Sequence, residues 1–406
     1  MRQHGLDVIV ATSPVNVTYF SDYFCWSDAL FKEYMGAPGT SSGPALICAV
    51  LPLEGQPALV LGPAFALNAR DCWVRDLRFY GDFPLEWSSA GLPLNDTDRR
   101  FVTLLRDQPR YPTAIDALFA VLRERGLDGA SIGLDSECVS AANLDLIRNR
   151  LPRASIKNCS NLIRLIRMVK GPEELKRLTH AATINEQAGF ETFNLARPGV
   201  SSIDLAQHYR ACVAKSGADV DHFSYSGHGL SIFTEGEYRF AENDVLYMDF
   251  GCVCDRYFSD TAATLAVNRI PPLLLQKYNA LRLSVDAGVS MMRPGVKASQ
   301  IQAAMIEALK ESGITASFPH GHGIGMEIRD YPIIVPDNGL RIQDDCLNVA
   351  SDLPMEEGMV NNLEVCVFLP MIGAVALEES LVVGANGARR LIPHDRRAPF
   401  VTESGG

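Results

Sequence analysis

Short apolar runs alternate with amphipathic ones over roughly the first 156 residues. Val8-Ile9-Val10-Ala11 predicts a buried strand, and residues 45–51 with Ala58–Leu61 predict a hairpin. Ala114–Glu124 carries apolar residues at helical spacing, stops at Gly126 and precedes the strand-like Ser131-Ile132-Gly133-Leu134. Alternation of this kind is the α/β signature. Asn16, Tyr19 and Phe24-Cys25-Trp26 are expected on a loop after the first strand. There they cap the domain's own core or, the less favoured reading, reach a ligand.

The chain changes character near residue 160. Pro172 suits the first turn of a long helix, with Glu173 and Glu174 favoured by the helix dipole and Leu175, Leu178 and Ala182 on one face. The expected division is an α/β N-terminal domain over 1–160 and an α+β domain over 161–406. A faint repeat marks the second: Arg197-Pro198-Gly199-Val200 returns 96 residues later as Arg293-Pro294-Gly295-Val296. Each copy stands between two helical patterns, which predicts two pseudo-symmetric halves facing each other across a cleft.

Candidate chemistry collects in these halves. Asp249 and Asp260 lie on two strand patterns joined by a tight return, and Glu364 and Glu378 repeat that arrangement. Carboxylates inside apolar strands are costly to bury unpaired. His322 stands in His320-Gly321-His322-Gly323-Ile324-Gly325. Those glycines lack the βαβ surroundings of a nucleotide loop, and are read as letting backbone approach a metal-bound ligand. One imidazole with four carboxylates suits two divalent ions sharing bridging carboxylates, and Mn, Fe, Co and Zn all fit such a set.

Composition narrows the partners. A net charge of −11 argues against nucleic acid or an anionic membrane surface, while leaving room for a small anionic substrate. Ten cysteines without framework spacing read as reduced thiols of a cytoplasmic protein, Cys252 and Cys254 among them as structural residues. No targeting segment is expected, and the apolar region 44–66 is too interrupted to span a membrane.

These motifs resemble the pita-bread metallopeptidase superfamily of aminopeptidase P, prolidase, methionine aminopeptidase and the related creatinase. The likeness covers nearly the whole chain. Thr12-Ser13-Pro14-Val15-Asn16-Val17-Thr18-Tyr19 resembles the start of the creatinase-type N-terminal domain, and residues 166–174 resemble the domain junction. The resemblance implies a pita-bread catalytic domain, often dimeric, so a homodimer is expected. It implies that Asp249 holds one ion, that Asp260 and Glu378 bridge both, and that His322 and Glu364 hold the second.

Departures from the family pattern fall around the substrate. The family's histidine some 17 residues before the first aspartate has no counterpart at 232–234. A second one, seven residues after the metal histidine, is here Arg329, and Ala376 stands where arginine is frequent. Creatinase has arginine at the position of Arg329, where it helps hold a substrate carboxylate, a role suited to a planar guanidinium. A surface pair of Arg329 with Glu327 or Asp330 is the alternative. His228 is a candidate substitute for the missing upstream histidine. The expected function is a dinuclear metal-dependent hydrolase of a C–N bond in a small, carboxylate-bearing substrate, with Glu364 moving the proton. Alternatives are an ordinary Xaa-Pro dipeptidase or aminopeptidase, a metal-dependent lyase on a carboxylate substrate, and a non-catalytic binding module of the same fold.

Overall fold

A computed structural model of the chain describes residues 1–25, 46–87, 91, 93–234, 236–392 and 398–402. Trp26 and residue 45 lie outside the described residues. The chain forms two compact units, Met1–Ile163 with Ile342–Val349, and Arg164–Arg341 with Ala350–Gly406.

In the first unit, β1 (Val8–Ala11), α1 (Pro14–Ser21), β2 (Cys48–Pro52), β3 (Ala58–Leu61), β4 (Asp76–Phe79), α2 (Asp96–Asp107), α3 (Ala114–Glu124), β5 (Ser131–Leu134), α4 (Ala141–Arg150) and β6 (Ser155–Asn158) follow one another. They build one mixed sheet in the order β4-β3-β2-β1-β5-β6. The antiparallel β2–β3 pair is the expected hairpin. The α3 face made by Ile115, Leu118, Phe119 and Leu122 packs into the core with Val8, Val10, Val50 and Val60. Asn16 and Tyr19 do not lie on a loop: Pro14 at the first helical turn starts α1, which carries both. Asn16 is buried and donates through Nδ2 to Asp135 Oδ2 at 2.8 Å, so it caps the unit's own core.

The chain continues through α5 (Ser160–Met168), α6 (Pro172–Phe193), α7 (Ser202–Lys215), β7 (Asp219–Ser226), β8 (Ile232–Phe233), β9 (Val245–Cys254), β10 (Tyr257–Ala266), α8 (Pro272–Met291), α9 (Ala298–Glu311), β11 (His320–Gly323), β12 (Asp330–Ile334), β13 (Arg341–Gln343), β14 (Asn348–Ala350), β15 (Val360–Leu369), β16 (Gly373–Gly384), β17 (Gly387–Arg390) and β18 (Phe400–Val401). Pro172 sits at the start of α6 as expected, and Glu174 accepts the Gly171 N–H at 2.9 Å. β13 and β14 form a separate two-stranded sheet among the described residues.

The repeat is real at the level of backbone. Gly199 and Gly295 both turn with left-handed φ, +88° and +87°. Gly199 N–H donates to Phe240 O at 2.8 Å, and Gly295 N–H to Met355 O at 2.9 Å. Three residues later Ser202 N–H reaches Tyr238 O, and Ala298 N–H reaches Leu353 O, at 2.8 and 3.0 Å. Each half then supplies one sheet, ordered β18-β10-β9-β7-β8 in the first and β12-β11-β15-β16-β17 in the second. The two sheets join where Thr264 Oγ1 on β10 donates to Ala376 O and accepts from Ala376 N–H on β16, both at 2.8 Å. The site occupies this join.

Candidate metal centre

In the first half, β9 and β10 pair antiparallel with Asp260 opposite Gly251 and Asp249 opposite Ala262. Side chains alternate faces, so Asp249 and Asp260 are diagonal neighbours on one face. On the other side of β9, His222 of β7 is also registered with Gly251, just after a register shift between Val220 and His222. His222, Gly251 and Asp260 therefore form one row across three strands. A Cβ at position 251 would lie 2.5 Å from His222 Cε1, so only glycine lets the imidazole cross β9. His222 Nε2 reaches Asp249 Oδ1 at 3.0 Å and Asp260 Oδ1 at 3.4 Å, and Nδ1 reaches Asp221 Oδ2 at 2.7 Å. Burial opposes a charge on this ring, but the hydrogen bonds to Asp221, Asp249 and Asp260 outweigh it and push its pKa up to about 12.

In the second half, Glu364 on β15 faces Glu378 on β16 and His320 on β11, while His322 faces Asn362. His320 Nε2 contacts Glu364 Oε2 at 3.0 Å. That bond raises the His320 pKa against burial and against the charge of Arg329. Asn362 Nδ2 donates to Glu378 Oε1 at 2.9 Å. Glu378 is held well above the ordinary carboxylate range, first by burial and then by the like charges of Asp260, Glu364 and Asp249. Asp249 is raised for the same first reason, against the pull of His222. Burial would raise Asp260 as well, yet the adjacent His222 and His322 rings hold it below that range.

His322 tests whether a metal belongs here. Its Nδ1 lies 3.0 Å from Gly323 O, which can only accept, so Nδ1 carries the proton. Nε2 is buried without a hydrogen-bond partner, 3.5 Å from Asp260 Oδ2 and 3.8 Å from Glu378 Oε1. An unpartnered buried nitrogen aimed at two carboxylates is an arrangement that a bound cation satisfies. His222, Asp249 and Asp260 form one group of converging ligand atoms, and Asp260, His322 and Glu378 form a second. Asp260 belongs to both groups. The donor set fits two divalent ions.

Glu364 belongs to neither group. Tyr247 OH ties it in, donating to Asp249 Oδ2 at 2.9 Å and lying 3.3 Å from Glu364 Oε1. Arg329 is exposed, without a hydrogen bond or ion pair among the described residues. Its acidic neighbours are taken by buried cations: Arg167 binds Glu327 and Asp330, and Lys170 binds Asp330 at 3.3 Å. His228 is exposed in the left-handed region (φ 52°), its ring edge-on to Tyr238, and shares no hydrogen bond with the carboxylates.

Three participants are not evident from sequence. Tyr247 carries a usable signal, since a residue two before Asp249 shares its face of the strand. His320 lies inside the glycine-flanked motif, but nothing in the spacing points to its bond with Glu364. His222 has no signal, because its place depends on the pairing register of β7 with β9. The glycines of this motif also have a structural reason. His320–Gly323 is a strand, and a Cβ on Gly321 or Gly323 would fall 2.2 Å from Asn362 O or Tyr331 O. These glycines make room for the flanking strands' backbones. Cys252 and Cys254 are free and buried.

The chain belongs to metallopeptidase family M24, whose profile matches residues 176–385, and residues 1–169 match the Creatinase/Prolidase N-terminal domain. The fold is thus the pita-bread fold with a creatinase-type N-terminal domain. An uncharacterized peptidase of Bacillus subtilis, YqhT, is 28% identical over 56% of this chain and 62% of its own length. An Xaa-Pro dipeptidase of Lactobacillus helveticus is 26% identical over 68% of this chain and 74% of its own length. The X-Pro aminopeptidase of Thermotoga maritima superposes with a TM-score of 0.74 at 18% identity, over 99% of this chain and 100% of its own. The prolidase of Pyrococcus furiosus gives 0.68 at 18%, over 98% and 99%. Among the described residues no helix is long and apolar enough to cross a membrane.

Proposed function

We propose that this chain is a dinuclear metal-dependent hydrolase of the Xaa-Pro peptidase type, cleaving a C–N bond in a dipeptide-sized substrate that ends in a free carboxylate. Its catalytic domain would run from about residue 161, after a creatinase-type domain over 1–160. Asp249, Asp260, His322, Glu364 and Glu378 would hold two divalent ions, chosen among Mn, Fe, Co and Zn. Such ions supply Lewis acidity and make water a nucleophile near neutral pH. Glu364 moves the proton from water to the leaving nitrogen. Two neighbours prepare it for proton transfer. Tyr247 OH lies against one carboxylate oxygen, and His320 Nε2 holds the other. Glu378 and His322 are almost fully buried, whereas Asp249, His222 and His320 keep about a fifth of their side chains accessible. Substrate therefore enters on the side of the latter three.

The observation that carries the substrate class is Arg329. Its guanidinium is exposed near His320, and the acidic residues beside it in sequence are already neutralised by Arg167 and Lys170. Such a guanidinium can take a carboxylate bidentately. The test compares Xaa-Pro dipeptides with their C-terminal amides. Amidation should lower kcat/KM about 10- to 100-fold, and Arg329→Gln should lower the free acid to the level of the amide while leaving the amide unchanged. Equal rates on acid and amide would remove Arg329 from the site.

A further inference from the structure

We propose that His222 is a ligand of the ion held by Asp249, so that each half of the unit gives the centre one imidazole. The inference rests on the two-ion reading above and adds a residue to it.

Four features of the geometry converge on this assignment. First, the position of Nε2 is that of a ligand atom. Atoms bound to one ion at about 2.1 Å stand about 3.0–3.5 Å apart at octahedral to tetrahedral angles. His222 Nε2 stands 3.0 Å from Asp249 Oδ1 and 3.4 Å from Asp260 Oδ1. Second, the far side of the ring is anchored, with Nδ1 2.7 Å from Asp221 Oδ2. A carboxylate behind an imidazole is the usual support of a metal-bound histidine, fixing its tautomer and raising its basicity. Third, the backbone is shaped for the ring. A register shift in β7 precedes His222, and its partner on β9 is a glycine whose Cβ would strike the imidazole. Bulges of this kind re-aim side chains. Fourth, the assignment balances the halves. The first would supply Asp249, Asp260 and His222, and the second Glu364, Glu378 and His322.

On binding, the Nε2–H is lost to solvent and its electron pair passes to the ion, while Nδ1–H keeps its bond to Asp221. The chemical consequence is selectivity. The ion beside Asp249 would no longer sit among oxygens alone, and imidazole favours zinc, iron or cobalt over manganese.

The experiment loads metal-stripped wild type, His222→Gln and Asp221→Asn with zinc, counts imidazoles by X-ray absorption, and titrates each protein calorimetrically with zinc and with manganese. Unfolding of the stripped proteins establishes that the variants fold. Wild type should bind two zinc ions with on average at least one imidazole per ion. His222→Gln should lose one imidazole per two ions, and one of its two sites should weaken at least tenfold for zinc and less for manganese. Asp221→Asn should keep the imidazole count and lose a smaller factor. An unchanged count and unchanged zinc affinity in a folded His222→Gln would overturn the assignment and leave the ring a hydrogen-bond donor to Asp249. If that variant does not fold, the wild-type count decides, since one imidazole per two ions overturns the proposal equally. Failure of wild type to bind zinc or manganese would instead overturn the two-ion reading itself.

Discussion

Both units bury carboxylates, but in opposite company. Asp135 in the N-terminal unit is fully buried and alone. It accepts from Ser13 N–H at 3.0 Å, Ser13 Oγ at 2.5 Å, Asn16 Nδ2 at 2.8 Å and Ser160 Oγ at 3.0 Å. A carboxylate given that many donors has its acceptor capacity filled by the fold itself. The cluster at the join of the two sheets gathers four carboxylates with few neutral donors, faced by imidazoles, one of them with a buried nitrogen that has no hydrogen-bond partner. Saturation of hydrogen bonds marks the first as architecture. Crowding of like charges around an unsatisfied nitrogen marks the second as a place for cations. Burial alone does not distinguish them; the neighbours do.

The comparison can be broken in several ways. Glu364→Gln keeps the shape of the cluster and removes its proton carrier, so turnover of a cleaved dipeptide should fall about a thousandfold with little change in melting temperature. A variant with full activity would remove Glu364 from the chemistry. Asp135→Ala should do the reverse. Its orphaned donors should destabilise the fold by about 3–5 kcal/mol in denaturant titration, while the metal stoichiometry of the remaining folded protein stays unchanged. Loss of metal together with stability would show that the two carboxylates are not separate in kind.

Glu378→Gln sharpens the contrast further, because removing an anion from a crowd of anions should help where removing Asp135 hurts. In chelator-stripped protein the variant should be about 1–2 kcal/mol more stable than wild type, the Asn362 bond being retained by the amide oxygen. A stripped Glu378→Gln less stable than stripped wild type would count against charge crowding. The smallest effect belongs to Asp116, a surface carboxylate of the first unit. Bonds from Arg150 and then Thr113 hold its pKa below the ordinary value. A depressed carboxylate stabilises the fold above its unfolded value, and that contribution is lost as pH falls through the folded one. Asp116→Asn should therefore cost at most about 1 kcal/mol at pH 7, and the deficit in melting temperature should vanish as pH falls through the depressed folded-state value. A deficit that persists in acid would assign the loss to packing.

Much of this architecture was written in the pattern of residues. Strand period placed Asp249 with Asp260 and Glu364 with Glu378, because carboxylates within apolar strands can only face a shared site. Pro-Gly turns 96 residues apart disclosed the duplicated halves, since a left-handed turn after a helix selects glycine wherever it recurs. Other features were not legible for a definite reason. Asn16 and Tyr19 looked like loop residues because the helix they share is short and lacks an amphipathic stripe. The neighbours of Arg329 in sequence suggested a surface pair, but Arg167 and Lys170 arrive from more than 150 residues away to claim them.

Local chemistry thus determined the elements, the pairing of halves and the five candidate ligands Asp249, Asp260, His322, Glu364 and Glu378. These depend on spacings of two to four residues and on which side chains tolerate an apolar strand. Tertiary structure decided the company those ligands keep. His222 crosses Gly251 only because β7 pairs with β9 in one register after one bulge, and a shift of a single residue would turn the ring to the other face. Glu364 meets Tyr247, and His322 loses its partner, only where the two sheets join. Strand register and the approach of the sheets bring together residues far apart in sequence, and no local spacing encodes either.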